Sequence, residues 1–252
     1  RGLDLAPDAA EFGTLIHRIL DRFTDDFPVN SNKTLPENAE QFLIELGRKQ
    51  FEVVLNYPGI WAFWWPRFLR IAHWFVNRER EARAGIAEVK SEVKGYLELT
   101  GPAGPFILSA VADRIDRLLN GQLNIIDYKT GGLPSKKEIR LGFAPQLPLE
   151  AAIAGSDGFK TVSANKVVAL DYWHLKGGDP AGEISSAGDN PWVLAKAAIE
   201  GLESLIQAFD REDTPYEARP RPEQAPNYSD YEHLARVKEW GVSGNLLEGR
   251  ED

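Results

Sequence analysis

Asp113, Asp127 and Lys129 have the types and spacing that a metal-assisted hydrolytic site needs. Residues 123–132 read LNIIDYKTGG: an apolar run delivers an aspartate, then a lysine two positions on, and the chain turns at Gly131-Gly132. Residues two apart in a strand share a face. A charge pair at the end of a buried strand costs desolvation unless something compensates, and a bound cation would do so.

The second aspartate comes from the preceding segment. Residues 106–119 and 122–129 read as strands joined at Asn120-Gly121, a strong hairpin signal. With a two-residue loop, Asp113 faces Tyr128 and Asp127 points to the opposite face. With a three-residue loop, Leu119-Asn120-Gly121, Leu118 pairs with Gln122 and Asp113 lies opposite Asp127. The second register is the one to expect if Gly121 takes a left-handed bulge position. It also puts Val111, Ile115, Leu123 and Ile125 on that face, toward a core. Two opposed carboxylates repel unless a metal sits between them, and hard oxygen ligands favour Mg²⁺ or Mn²⁺. Lys129 could then orient or deprotonate a water and stabilise developing negative charge, as phosphodiester hydrolysis requires. The plain structural alternative is an Asp–Lys salt bridge closing a sheet edge.

The same acid-x-lysine spacing occurs at Glu88-Lys90 and Glu92-Lys94 within IAEVKSEVKGYLELT (86–100). There the alternation of apolar and polar residues reads as a strand with one solvated, charged face.

The elements that must carry these residues follow from periodicity. Phe12, Leu15, Ile16, Ile19, Leu20 and Phe23 recur at helical spacing and predict a helix over 8–27 with an acidic start. A second helix is expected from about Pro36 to Leu55, with the proline in its first turn. Tyr57-Pro58-Gly59 breaks the chain before a Trp-rich helix over 61–84, whose aromatics recur at core spacing. Three strands follow (86–100, 106–119, 122–129), then the basic segment PSKKEIRLG, a helix over 144–154, an internal strand over 165–175 and a helix over 191–210. The predicted fold is a mixed α/β domain: a helical cap over 1–85, an α/β core over 86–212 and a tail over 213–252 with a short helix near 230–240.

The bulk composition sets limits. The 252 residues are 43% hydrophobic and 27% charged, an ordinary globular balance. No apolar run is long enough to span a bilayer, so no membrane partner is expected. There is no cysteine, which excludes thiolate chemistry and disulfides and fits a reducing cytoplasm. Methionine is also absent, even at position 1, so a piece of a longer protein is expected. The net charge of −9 argues against a broad nucleic-acid-binding surface. Any such contact must be local, and Lys136, Lys137 and Arg140 directly after the Asp–Lys strand are the nearest source of phosphate contacts. A solvated helix face accounts for them equally well.

Asp113 followed by Asp127-Tyr128-Lys129 on the next strand resembles the PD-(D/E)XK nuclease superfamily. The wording is similar to its RecB/AddB branch, in particular the C-terminal nuclease domain of alphaproteobacterial-type AddB proteins. GTLIHRIL (13–20), ADRIDRL (112–118), IIDYKTG (125–131) and QLPLE (146–150) match its four blocks in order. The resemblance implies a restriction-endonuclease-like core of helix, three antiparallel strands, helix and strand. It implies His17, Asp113 and Asp127 as ligands of Mg²⁺ or Mn²⁺, joined by the Tyr128 carbonyl, with Lys129 catalytic and Gln146 orienting the site or touching DNA. It further implies DNA exonuclease activity in double-strand break repair, on single strands from unwound duplex, beside an AddA-like helicase–nuclease subunit. A degenerate, non-catalytic nuclease fold that binds DNA or docks a subunit is the rival expectation.

Two positions depart from the branch. Glu150 stands where a tyrosine is usual. NYSDYEHLARV (227–237) resembles the segment that carries cluster-binding cysteines in relatives, yet without cysteine no iron–sulfur cluster is expected, and Tyr228, Tyr231, Leu234 and Trp240 would replace its staple by packing. Glu92 resembles an acidic position of the first strand, but the alternation assigns it to the solvated face. Asp116 should face away from Asp113 and pair with Arg114 or Arg117. His73, His174 and His233 are expected to have no role in the site.

Overall fold

The helical spacing of Phe12 through Phe23 becomes α1 (Ala9–Asp26), started by Asp8, whose carboxylate accepts the Ala10 and Glu11 backbone N–H groups. The structure, a computed structural model, describes residues 8–29, 34–54, 57–162 and 166–215. The helices α2 (Ala39–Gln50) and α3 (Pro58–Ala82) complete the cap. Two boundaries differ from expectation. Pro36 lies ahead of α2 and not in its first turn. Pro58 and Gly59 open α3 instead of separating it from the turn, because proline at the first helical position gives up no hydrogen bond. The tail residues singled out above, from Tyr228 to Trp240, lie outside the described residues. The chain divides by its contacts after Gln207, and the cap and the sheet belong to the first unit.

Five strands form one sheet in chain order: β1 (Ile86–Gly101), β2 (Gly104–Leu118), β3 (Leu123–Lys129), β4 (Val167–His174) and β5 (Glu183–Ser186). All neighbours are antiparallel except β3 and β4, which run parallel. The crossover between those two holds α4 (Lys136–Arg140) and α5 (Gln146–Gly155), and α6 (Pro191–Phe209) follows β5. The mixed α/β architecture expected from the sequence is present, with one strand, β5, that the sequence analysis did not include.

The sheet is covered on both faces. On one, α1, α2 and α3 bury Ile16, Phe23, Leu43, Phe68 and Phe75 against Ile126, Tyr128 and Trp173. On the other, Ile115, Leu123, Ile125 and Tyr172 pack against Leu147, Ala151 and Ile153 of α5. Alternation along β3 therefore sends Ile126 and Tyr128 toward the cap and Ile125 and Asp127 toward α5. The Trp-rich helix belongs to the first core, with Trp61, Trp64, Trp65 and Trp74 packed against it, while Phe63 is 80% exposed.

Register in the β2–β3 hairpin is the three-residue-loop one. Ile115 pairs with Ile125, Arg117 with Leu123, and the Leu118 N–H donates to the Gln122 carbonyl. Gly121 adopts φ +83°, the left-handed conformation on which this register depends. Ile115, Leu123 and Ile125 are buried as expected, but Val111 is 43% exposed. The reason is length: β3 pairs with β2 only over residues 114–117, so the distal part of β2 has β1 alone beside it.

Candidate active site

The site is built where β1, β2 and β3 lie side by side and α1 crosses their ends. Ser91 pairs with Arg114 and Val93 with Ala112, which sets Glu92 beside Asp113. One step beyond the Arg114–Ile126 pair, the same register sets Asp113 beside Asp127. Asp113 Oδ2 accepts the Tyr128 backbone N–H at 2.8 Å, tying the second strand to the third at the acidic position. From α1, His17 places Nδ1 3.3 Å from Asp113 Oδ1 and Nε2 2.7 Å from the Tyr128 carbonyl oxygen. Gly13 permits this approach, because a Cβ there would stand only 3.1 Å from Thr130 Oγ1.

Lys129 folds back over Asp127. Its ammonium lies 2.8 Å from Asp127 Oδ1 and 2.6 Å from Oδ2. The first contact is a directed hydrogen bond. The second is a charge contact only, so Oδ2 has no hydrogen-bond partner. The ammonium also donates to Gln146 Oε1 at 3.3 Å, and Gln146 Nε2 donates to Glu150 Oε1 at 3.2 Å. Gln146 opens α5 and Glu150 lies one turn on, buried at 1% exposure with Oε2 unpartnered.

Electrostatics follow the crowding of acids. Burial is the largest influence on Asp127 and raises its pKa; the adjacent Lys129 opposes this and Asp113 adds to it. Burial lifts the Glu150 carboxyl to about 8, helped by the Asp127 and Asp113 charges and resisted by Gln146 and Lys129. Burial works against a charged His17, but the Asp113 hydrogen bond and charge, the Tyr128 carbonyl and the Asp127 charge outweigh it and raise its pKa.

The predicted residues separate into those that meet and those that do not. His17, Asp113, Asp127, Tyr128, Lys129 and Gln146 converge. Lys136, Lys137 and Arg140 stand exposed on α4, whose Ser135–Glu138 capping box and buried Ile139 fix its orientation. They do not line the cleft of about 620 Å³ at the site, which is bordered by His17, Arg18, Asp21, Glu92, Lys129 and Thr130 among others. Asp116 faces the cap and pairs with Arg114 at 2.6 Å, as the alternation required. His73 and His174 make pairs with Glu40 and Glu183, both at 3.1 Å, and neither lines the cleft. His233 lies outside the described residues.

Glu92 is exposed, as the solvated-face reading expected, but that position borders the site. Its backbone takes φ +49°, breaking the alternation of β1, and its carboxylate joins His17 and Asp113 in a group whose ligand atoms lie within 4.8 Å of one another. Asp127 is not one of that group, both its oxygens being drawn to Lys129. Imidazole and carboxylate donors without sulfur suit a hard divalent cation. Asp127 Oδ2, in charge contact with Lys129 but without a directed hydrogen bond among the described residues, is a further oxygen with a lone pair left. The residues present therefore fit a divalent metal.

A family profile of the PD-(D/E)XK nuclease superfamily matches residues 1–231. The chain belongs to this superfamily. An uncharacterized protein of Rickettsia felis is 30% identical over 219 residues, 81% of this chain and 25% of its own length. Another, from Rickettsia conorii, is 30% identical over 156 residues, 61% of this chain and 18% of its own. The chain thus spans a quarter or less of the curated relatives it matches. A solved structure titled "Crystal structure of SSO0001" aligns with TM-score 0.32 and 13% identity, over 75% of this chain and 86% of that one. PD-(D/E)XK nucleases use divalent metals, and the His17–Glu92–Asp113 group supplies ligands of that kind. The five-stranded sheet with flanking helices matches the restriction-endonuclease-like expectation. Among the described residues, no helix is long and apolar enough to cross a membrane.

Proposed function

We propose that this PD-(D/E)XK domain is a Mg²⁺- or Mn²⁺-dependent deoxyribonuclease that hydrolyses single-stranded DNA exonucleolytically. The observation that carries the reading is the Lys129 ammonium held 2.6 Å from Asp127, on the sheet face that also carries Asp113, beside the His17–Glu92–Asp113 group. His17, Glu92 and Asp113 would hold the metal, with Asp127 Oδ2 able to join them. When bound, the metal supplies Lewis-acid activation of the phosphodiester and of a water. Lys129 places a positive charge where negative charge grows on the phosphate oxygens, and it is oriented by Asp127 on one side and Gln146 on the other. Buried walls around Asp127 strengthen that interaction by excluding water. Arg18 at the cleft and Lys136, Lys137 and Arg140 on α4 give the local positive charge that an acidic chain needs to hold a strand.

The setting proposed is the cytoplasm, in recombinational double-strand break repair within an AddAB-type helicase–nuclease that feeds unwound single strands to the domain. The order and wording of the four motif blocks support this, as does a net charge of −9, which suits a nuclease receiving DNA from a partner.

Digestion of end-labelled single-stranded DNA with Mg²⁺ or Mn²⁺, run beside Lys129→Ala, tests the nuclease reading. Cleavage by the wild type and a loss of at least about a hundredfold in the variant are expected. Equal cleavage by both would overturn the assignment of Lys129, and metal binding without cleavage would favour a non-catalytic scaffold.

A further inference from the structure

The amide of Gln146 is held between two groups, and the first admits only one of its ends. On one side is the Lys129 ammonium, which has donors and no acceptor, so the amide must present Oε1 to it. That leaves the Nε2 protons to Glu150, whose Oε1 accepts one at 3.2 Å. A carboxyl oxygen can accept there whether the group is ionised or neutral. Glu150 is buried, and among the described residues it makes no ion pair and its side chain bonds Gln146 alone. A buried carboxyl that costs desolvation and bonds a single side chain needs a reason to be there.

We propose that Glu150 is a positioning residue that fixes the orientation of the Gln146 amide and, through it, the placement of the Lys129 ammonium over the scissile phosphate. The inference rests on the nuclease reading for its effect on rate, but not for the hydrogen-bond relay itself. The relay runs Asp127–Lys129–Gln146–Glu150, with contacts of 2.8, 3.3 and 3.2 Å. It clamps the ammonium between a carboxylate on β3 and an amide on α5, so the flexible lysine stem is held at its tip from two directions. Without Glu150 the Nε2 end loses its anchor, and the amide can swing away from the ammonium.

Two measurements on the same set of variants test this: Glu150→Leu, Glu150→Gln, Gln146→Ala and Gln146→Ala/Glu150→Leu. The first is the Gln146 side-chain amide resonance in metal-free protein, identified by its loss in Gln146→Ala. It should shift and exchange faster in Glu150→Leu and return toward its original position in Glu150→Gln, which keeps a carbonyl acceptor. The second is steady-state cleavage of single-stranded DNA. Glu150→Leu should lower kcat about ten- to a hundredfold with KM little changed, Glu150→Gln should recover most of that loss, and the double variant should be no slower than Gln146→Ala alone. An unmoved Gln146 amide, or a double variant whose loss is the product of the two single losses, would overturn the proposal. If the wild type does not cleave DNA, the nuclease reading fails and the amide resonance alone decides the relay.

Discussion

His17 Nε2 lies 2.7 Å from the carbonyl oxygen of Tyr128, the same oxygen that the motif resemblance assigns to a metal. With Nδ1 facing Asp113 Oδ1 at 3.3 Å, both ring nitrogens point at acceptors, an arrangement satisfied fully only by the imidazolium. Without a metal, the proton charge on the ring partly neutralises the acids around it.

Metal binding should therefore expel that proton. Titration calorimetry with Mn²⁺ in two buffers of different ionisation enthalpy should show proton release at pH 6 that shrinks by pH 8. Affinity should climb by up to about tenfold per pH unit below the raised pKa of His17. Affinity flat from pH 6 to 8 would remove His17 from the ligand set.

Glu150 makes a second pH signature, this one in stability. Its carboxyl is raised from 4.5 to about 8 by burial. Between those values the folded chain keeps a proton that the unfolded chain has released, so stability falls as pH rises across the window. The contribution present below pH 4.5 is lost by about pH 8 and amounts to something on the order of a few kcal/mol. Metal-free thermal melts at pH 5 and pH 8 should show a larger drop for the wild type than for Glu150→Gln. Parallel drops would mean that the carboxyl is ionised throughout.

Arg18 lines the cleft one residue beyond His17 and is exposed. Arg18→Ala should raise the KM for DNA about three- to tenfold, leave kcat close to wild type and reduce the salt dependence of binding by roughly one phosphate contact. Binding measured from 50 to 200 mM salt would check this, and an unchanged salt slope would place the arginine off the DNA path.

Below the site, Arg114 is fully buried and bonds Asp116 through Nε and Nη2 and Glu79 of α3 through Nη1, with the Trp173 ring 4.9 Å away. Arg114→Met would strand the Asp116 carboxylate away from water and leave Glu79 to Arg83 alone. Chemical denaturation should report a loss of about 3–5 kcal/mol, with the midpoint shifted and Mn²⁺ affinity of the folded fraction retained. A change within about 0.5 kcal/mol would show the acids to be neutral or hydrated.

The sequence made some of this legible and hid the rest for physical reasons. The Asp113–Asp127 adjacency was readable because, of the two registers Asn120-Gly121 allows, the three-residue loop puts Ile115 and Ile125 on one core-facing side. His17 was readable only through GTLIH, since a lone histidine on a helix says nothing about which strand it will meet. Glu92 was hidden because its position rests on a single residue at φ +49°, a local break that alternation cannot report. Val111 misled because alternation gives the face but not how far the neighbouring strand extends. The short β5, Glu183–Ser186, carries one apolar residue in four and gives no periodic signal.

Arg67 of α3 donates to the carbonyls of Thr130, just past β3, and Lys176, just past β4, at 2.6 and 2.7 Å. Arg70 adds the carbonyl of Gly177, whose φ of +63° brings the loop so close that a Cβ there would strike the Arg67 stem. The chain that leaves β3 is thus held in place by a helix encoded some sixty residues earlier. These contacts couple the helices before β1 to the strand ends after it. A chimera joined near residue 85 would bring together a histidine and two arginines that had never been selected against the carbonyls they must meet. Productive gene exchange within this family should therefore fall outside the interval from α1 to Gly177.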